Sequence, residues 1–139
     1  MNKPHKNALP GSAHEWLKHA TSDLALARLG FASNAVLREQ VCFHAQQAVE
    51  KALKGVLLHR QIRFPLTHDI QELIEIGEHE NVAFPAWAEE LPALTPFAVE
   101  TRYPGNWEAV SHTEVTRALD SAQLTVDWAA AIIVPGKRE

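Results

Sequence analysis

Cysteine is nearly absent from this sequence: Cys42 is the single cysteine among 139 residues, so no internal disulfide can form. Sparse cysteine fits a protein of the reducing cytoplasm, and we interpret Cys42 as a small packing residue rather than a nucleophile.

Long apolar runs are also missing, because no window reaches the roughly eighteen residues that a membrane span needs. The N-terminus lacks the apolar core of a secretory signal. We therefore expect a cytoplasmic protein that does not enter a membrane.

The common nucleotide and metal motifs are absent as well. The sequence has no GxxxxGK[ST], no GxGxxG, no HExxH and no pair of cysteines. It does contain eight histidines, but they are scattered and none forms the i,i+4 pair that a zinc-binding helix often carries. We therefore predict no metal site and no cofactor.

The charge of the chain is unevenly distributed. Net charge is −4, yet residues 1–68 carry nine basic and four acidic side chains, and residues 69–100 carry eight acidic and no basic ones. This balance argues against a protein that binds nucleic acid by bulk charge. A local basic surface of Lys51, Lys54, Arg60 and Arg63 stays open as an interpretation.

Apolar periodicity predicts helices and no strands. Capping boxes at Ser12–Glu15 and Ser111–Glu114 mark two helix starts. Five helical segments are predicted. The first begins at Ser12, the second spans residue 34 or 35 to 58, and the third begins at 67–69 and ends near 77. The fourth spans residues 85–102 with breaks at Pro92 and Pro96, and the last runs from Ser111 to Pro135. We therefore predict an all-α, antiparallel up-and-down bundle of four or five helices in residues 12–134, with a lead at 1–11 and a tail at 135–139.

The second predicted helix is the most informative part of the chain. Its apolar stripe consists of Val41, Ala45, Ala48, Val49, Ala52, Leu53 and Val56. A separate face carries His44, Gln47, Lys51 and Lys54. One interpretation is an anion-binding surface; the other is a solvated face with a Glu50–Lys54 pair at i,i+4.

A second polar group lies in the segment Thr101–Gly105. Arg102 can grip a phosphate with two parallel hydrogen bonds, and Tyr103, the single tyrosine, can stack on a base. The alternative is an ordinary helix end with an arginine near the C-terminal dipole. Trp16, Trp87, Trp107 and Trp128 are spread along the chain, and we interpret them as packing residues rather than as a ligand cage.

The stretches CFHAQQAVEKALKGVLL, PLTHDIQELIEIG and TRYPG, in this order and before a closing amphipathic helix, resemble the HEPN domain family, whose name stands for higher eukaryotes and prokaryotes nucleotide-binding. The resemblance covers about residues 16–133. It implies a helical homodimer, often paired with a minimal nucleotidyltransferase in a toxin–antitoxin-like system. His44, Gln47 and Lys51 match the family's polar helix face, and Arg102 and Tyr103 match its RYP turn. These five residues are the candidates for nucleotide or RNA binding.

Some relatives are metal-independent ribonucleases that use an arginine followed, after four to six residues, by a histidine. Here Arg102 lies near the expected place, but the next histidine, His112, follows after nine intervening residues. Arg102 and His112 are thus the catalytic candidates in a pattern that this chain does not keep. Arg38–His44 and Arg63–His68 have the literal spacing, but about one such match is expected by chance, and we predict that His68 caps the third helix.

Three functions follow from this sequence. The leading one is a nucleotide- or RNA-associated partner of a minimal nucleotidyltransferase. The first alternative is an active metal-independent endoribonuclease. The second alternative is a helical dimerisation module without catalysis, in which the polar face of the second helix is merely solvated.

Overall fold

The computed structural model describes residues 11–98 and 109–135, and these form an all-α fold. The elements are α1 (Ala13–Phe31), α2 (Arg38–His59), α3 (Ile70–His79), a 3-10 segment (Ala86–Ala98) and α4 (His112–Ile133). No strand occurs in these two ranges. The predicted fold class is therefore confirmed.

The helix starts follow the capping chemistry of the sequence. The hydroxyls of Ser12 and Ser111 each accept a hydrogen bond from the backbone N–H of the residue three positions later, and the carboxylates of Glu15 and Glu114 accept one from the serine backbone N–H. Both predicted capping boxes are confirmed. At α3 the N-cap is Asp69, whose carboxylate accepts from two backbone N–H groups. The prediction that His68 caps this helix is wrong.

α2 begins later than its apolar pattern predicts. The predicted start was residue 34 or 35, whereas the helix begins at Arg38. The Ser33 hydroxyl accepts a hydrogen bond from the N–H of Ala35, and such local side-chain bonds favour turns over helix. Leu37 then occupies the N-cap position without a side-chain cap.

α2 is the central element of the bundle, because it contacts α1, α3, α4 and the 3-10 segment. Every residue of its predicted apolar stripe is buried. Its three alanines, Ala45, Ala48 and Ala52, have no accessible surface, and small residues of this kind let neighbouring helices approach closely. Burial extends further round the helix than the stripe, however, and includes Gln46, Glu50 and Lys54.

The connector between α2 and α3, residues 60–69, turns back towards the core at a residue with a left-handed backbone conformation. Gln61 has φ 61°, and the N–H of Ile62 donates to the carbonyl of Leu57, as in a Schellman motif. This turn places Ile62 and Phe64 in the core. The connector therefore lies against α2 before α3 begins.

The fourth predicted segment is helical, but the break that we expected at its prolines is wrong. Residues 86–98 form a continuous 3-10 segment that contains Pro92 and Pro96, where we expected two helical pieces or a kink. Proline lacks the N–H that an α-helix needs in its interior, and here the chain continues as a 3-10 segment instead of breaking. Residues 99–102, the rest of that prediction, lie outside the described ranges.

No helix in the described parts of the chain is both long enough and apolar enough to cross a membrane.

Cys42 is buried in α2, as expected of a packing residue. Trp87 and Trp128 pack against the edge of the core with their rings at 90° and 6.3 Å between centroids. Trp107 lies outside the described residues.

Candidate functional site

The predicted polar residues of α2 share one face and are half-buried against α1. His44, Gln47 and Lys51 follow one another at intervals of three and four residues, which is the spacing of neighbours on a helix. The side chains of His44 and Lys51 are 31% and 25% exposed. This face is therefore a partly solvent-accessible seam between α1 and α2 rather than an open surface.

Asp23 of α1 joins two of these residues. Its Oδ1 lies 3.2 Å from His44 Nδ1, and its Oδ2 accepts a hydrogen bond of 2.7 Å from Lys51 Nζ. The carboxylate is 14% exposed. When Nδ1 of His44 carries a proton it donates to Asp23, and Nε2 is then the nitrogen left to meet a ligand.

Asp23 was missed by the sequence interpretation. Nothing in its local pattern distinguishes it from an ordinary polar residue of α1, and it lies 28 positions before Lys51. Its spacing from Trp16 and His19 does put all three on one side of α1, at i, i+3 and i+7. That pattern says nothing of which face of α2 they meet.

A second polar cluster lies deeper in the molecule, and Glu50 is its centre. The Glu50 carboxylate accepts hydrogen bonds of 3.0 Å from Gln46 Nε2 and 2.7 Å from Lys54 Nζ. The Glu50 and Lys54 side chains are only 4% and 6% exposed. Gln47 Nε2 donates to Gln46 Oε1 at 2.7 Å, and so connects this cluster to the seam.

His68 covers the Glu50 cluster from outside. Its Nδ1 lies 3.0 Å and 3.1 Å from the two carboxylate oxygens of Glu50, while its side chain is 71% exposed. The Lys54 ammonium is flanked by the rings of Trp16 and Phe64, at 5.6 Å and 6.0 Å from the centroids. These cation–π contacts partly replace the water that the ammonium loses on burial.

The Glu50–Lys54 pair was predicted, but its surroundings were not. We expected the pair on a solvated face, and Lys54 either beside Lys51 on a polar face or in a basic surface with Arg60 and Arg63. The structure buries Lys54 in an ion pair instead. Its charge is therefore satisfied inside the protein and does not contribute an open cationic group.

The catalytic candidate His112 lies at the end of the bundle where α1 ends and α4 begins. Its ring packs on Phe31 with 5.6 Å between centroids. At the same end, Arg38 donates a 3.0 Å hydrogen bond to the carbonyl of Val110. With a rise of 1.5 Å per residue, Arg38 and Lys51 are about 20 Å apart along α2. The structure therefore does not bring His112 to Lys51.

Arg102 and Tyr103 fall outside the described ranges. Their meeting with the α2 face stays a prediction. Within the described ranges, no group of three or more His, Cys, Asp or Glu side chains is placed to hold a metal ion.

Residues 13–133 match the model of the HEPN domain family. The chain belongs to the HEPN domain family. TT1696 from Thermus thermophilus, a solved structure, is 31% identical to this chain, covers 86% of it and 97% of its own length, and superposes with a TM-score of 0.69.

ST0689, described as an archaeal HEPN homologue, has a similar HEPN fold. It is 24% identical, covers 89% of this chain and 99% of its own, and has a TM-score of 0.67. This likeness concerns the fold alone. No curated protein matches the chain.

The buried cluster makes a direct prediction about stability. Glu50→Gln keeps the shape of the side chain but leaves the Lys54 ammonium buried without a counter-ion. We expect the free energy of unfolding to fall by about 3–5 kcal/mol, the usual cost of breaking a buried pair from one side. Urea denaturation followed by circular dichroism measures it.

Two further variants control this experiment. Glu78→Gln, on the exposed side of α3, should change stability little. The double variant Glu50→Gln/Lys54→Met should recover most of the loss, because it removes both charges. A Glu50→Gln variant as stable as Glu78→Gln would show that the pair is not buried in solution.

Proposed function

We propose that this HEPN protein recognises the phosphate of a nucleotide or RNA along the seam between α1 and α2. The observation that carries the proposal is the Asp23–His44–Lys51 arrangement. Asp23 holds one N–H of the Lys51 ammonium and leaves its other donors for a ligand. Because the ammonium is already positioned, little side-chain freedom is lost when an anion binds.

The other candidate residues have complementary roles in this proposal. Gln47 gives an amide N–H to Gln46 and retains its carbonyl oxygen for a donor on the ligand. By resemblance to the family, Arg102 would grip a phosphate and Tyr103 would stack on a base. Resemblance alone supports these two assignments.

Lys51→Ala should weaken binding of RNA or AMP about tenfold or more, because a hydrogen bond to a charged group contributes about 1.5–3 kcal/mol. Adding Arg102→Ala should abolish binding. Isothermal titration calorimetry or fluorescence anisotropy measures the affinities, and circular dichroism verifies that each variant is folded.

The matched control for that experiment is Lys18→Ala, which removes an exposed lysine of α1. It lowers the net charge equally, so it should reduce affinity only slightly. Equal losses in Lys51→Ala and Lys18→Ala would mean that the seam has no specific role. An unchanged affinity in the Lys51→Ala/Arg102→Ala protein would disprove the proposed site.

A ribonuclease activity is the second candidate, and the Asp23–His44 contact is the observation that favours it. A carboxylate that holds one imidazole nitrogen leaves the other to move a proton, as in known general acid–base pairs. Lys51 shares the same carboxylate and would stabilise charge on the phosphate. In this alternative His44, and not His112, is the proton-transfer residue.

Incubation of the purified protein with total cellular RNA in EDTA tests the ribonuclease candidate. If the protein cleaves RNA, His44→Ala should lower the rate by at least a hundredfold, the usual contribution of a general acid or base, whereas His112→Ala should retain it. Cleavage that survives His44→Ala but is lost in Arg102→Ala would place the reaction at the RYP turn instead. No cleavage by the folded wild type would leave binding as the function.

We also propose that the protein is a homodimer and that its physiological partner is a minimal nucleotidyltransferase in a toxin–antitoxin-like system. The partner rests on the family resemblance, and a neighbouring nucleotidyltransferase gene would support it. For the dimer, a groove of about 280 Å³ lies beside His44. Leu26, Leu29 and Leu37, at 49%, 70% and 59% exposed, lie at this end of the bundle. A second copy covering the groove would abut the seam.

Light scattering tests the dimer. The wild-type protein should have the mass of two chains, and Leu29→Asp should reduce it to one, because a carboxylate would then be buried in an apolar contact. Leu66→Asp is the control, since Leu66 is 82% exposed in the connector, away from the groove. A monomeric wild type at micromolar concentration would contradict this part of the proposal.

A further inference from the structure

A cavity of about 450 Å³ opens at the other end of the same seam. Among the residues that the structure describes, its lining consists of Gly11, Glu15, Trp16, His19 and Lys51. The volume lies in the range of small-molecule sites. Lys51 therefore belongs both to the Asp23 arrangement and to the wall of this cavity.

Trp16 gives the cavity an unsatisfied hydrogen-bond donor. Its indole Nε1 is buried, and within the described part of the chain it has no hydrogen-bond acceptor. A Cβ on Gly11 would lie 3.8 Å from this nitrogen, so the N–H edge of the indole faces the backbone that lines the cavity. A buried indole N–H normally has an acceptor, so this N–H is a donor in the cavity wall that is still to be satisfied.

The remaining lining groups divide into those already engaged and those available. Glu15 is engaged, because its Oε1 accepts the N–H of Ser12 in the capping box. Lys51 has one N–H on Asp23 and further donors to give. His19 is exposed at the rim. The cavity thus offers an apolar ring, an N–H donor and, at one side, an ammonium.

These groups are complementary to a planar heteroaromatic molecule that carries an acceptor and a negative charge. A base can lie against the indole, a ring nitrogen or carbonyl oxygen can accept the Nε1 proton, and a phosphate can reach Lys51. We propose that the cavity beside Trp16 is the base-binding part of a mononucleotide site, with Lys51 holding the phosphate. This inference rests on the proposed function and adds where the base lies and which residue reads it.

Trp16 then has two roles, where the sequence indicated packing alone. One role of the residue is structural, since its ring flanks the buried Lys54 ammonium. Lys54 lies over the ring, so we assign the N–H edge of the indole to the ligand. Trp16→Phe therefore separates the two roles: it retains an aromatic ring beside Lys54 and removes the donor.

The indole N–H resonances of the ¹⁵N-labelled protein test the assignment. The chain has four tryptophans, and the Trp16 signal is the one missing from the spectrum of Trp16→Phe. On titration with AMP we expect this signal to shift saturably while the Trp128 signal, assigned with Trp128→Phe, stays in place. Trp16→Phe should weaken AMP at least tenfold, and Trp128→Phe should not.

Adenosine and inorganic phosphate separate the two halves of the site. Lys51→Ala should weaken AMP at least tenfold and leave the weaker binding of adenosine unchanged, whereas Lys18→Ala should affect neither. Inorganic phosphate alone should leave the Trp16 signal in place. A shift caused by phosphate as strongly as by AMP would show an anion site and overturn the base assignment.

Three results separate the position of the base from nucleotide binding itself. If AMP binds in a Lys51-dependent way while the Trp16 signal and the affinity of Trp16→Phe are unchanged, the base lies elsewhere and the proposed function stands. If RNA binds through Lys51 and AMP does not bind, the mononucleotide site is disproved and the proposed function again stands. If neither AMP nor RNA binds the folded protein, both are wrong.

Discussion

The buried Glu50–Lys54 pair is the interaction on which the arrangement of this protein depends. Two charges removed from water are tolerated only when other groups satisfy them. Here the groups come from different parts of the chain: Gln46 from α2 itself, Trp16 from α1, and Phe64 and His68 from the connector. α1, α2 and the connector must therefore be in one mutual position for the pair to be stable. That position also determines which side of α1 faces the candidate site.

Six polar residues in the middle of α2 form two neighbouring rows that differ in burial. The buried row is Gln46, Glu50 and Lys54, and the half-exposed row is His44, Gln47 and Lys51. The hydrogen bond from Gln47 to Gln46 connects them. A buried hydrogen-bonded network restricts the helix more than apolar contacts alone. Gln47 is tied to this network, and His44 and Lys51 are tied to Asp23, so each member of the half-exposed row has a partner.

The parts of the fold that were predicted correctly depend on neighbouring residues. Both capping boxes and the apolar stripe of α2 are properties of segments less than one helix long, and they are confirmed. Pro92 and Pro96 indicated that an ordinary α-helix would not run through residues 86–98, but not that the chain would continue there as one 3-10 segment. The late start of α2 was missed because the Ser33 turn competes locally with the helix. For the candidate site, the sequence indicated that His44, Gln47 and Lys51 share a face, but not that Asp23 joins them.

By itself the sequence determined the fold class, the membership of the HEPN family and the polar face of α2, because helix period, caps and motif order are read along the chain. Only the tertiary structure decided that Lys54 is buried, that His68 contacts Glu50 and does not cap α3, and that Asp23 pairs with Lys51. These contacts join residues up to 28 positions apart. Their partners are chosen by the packing of α1 and the connector on α2, and a pattern within one helix contains no information on the register of its neighbours.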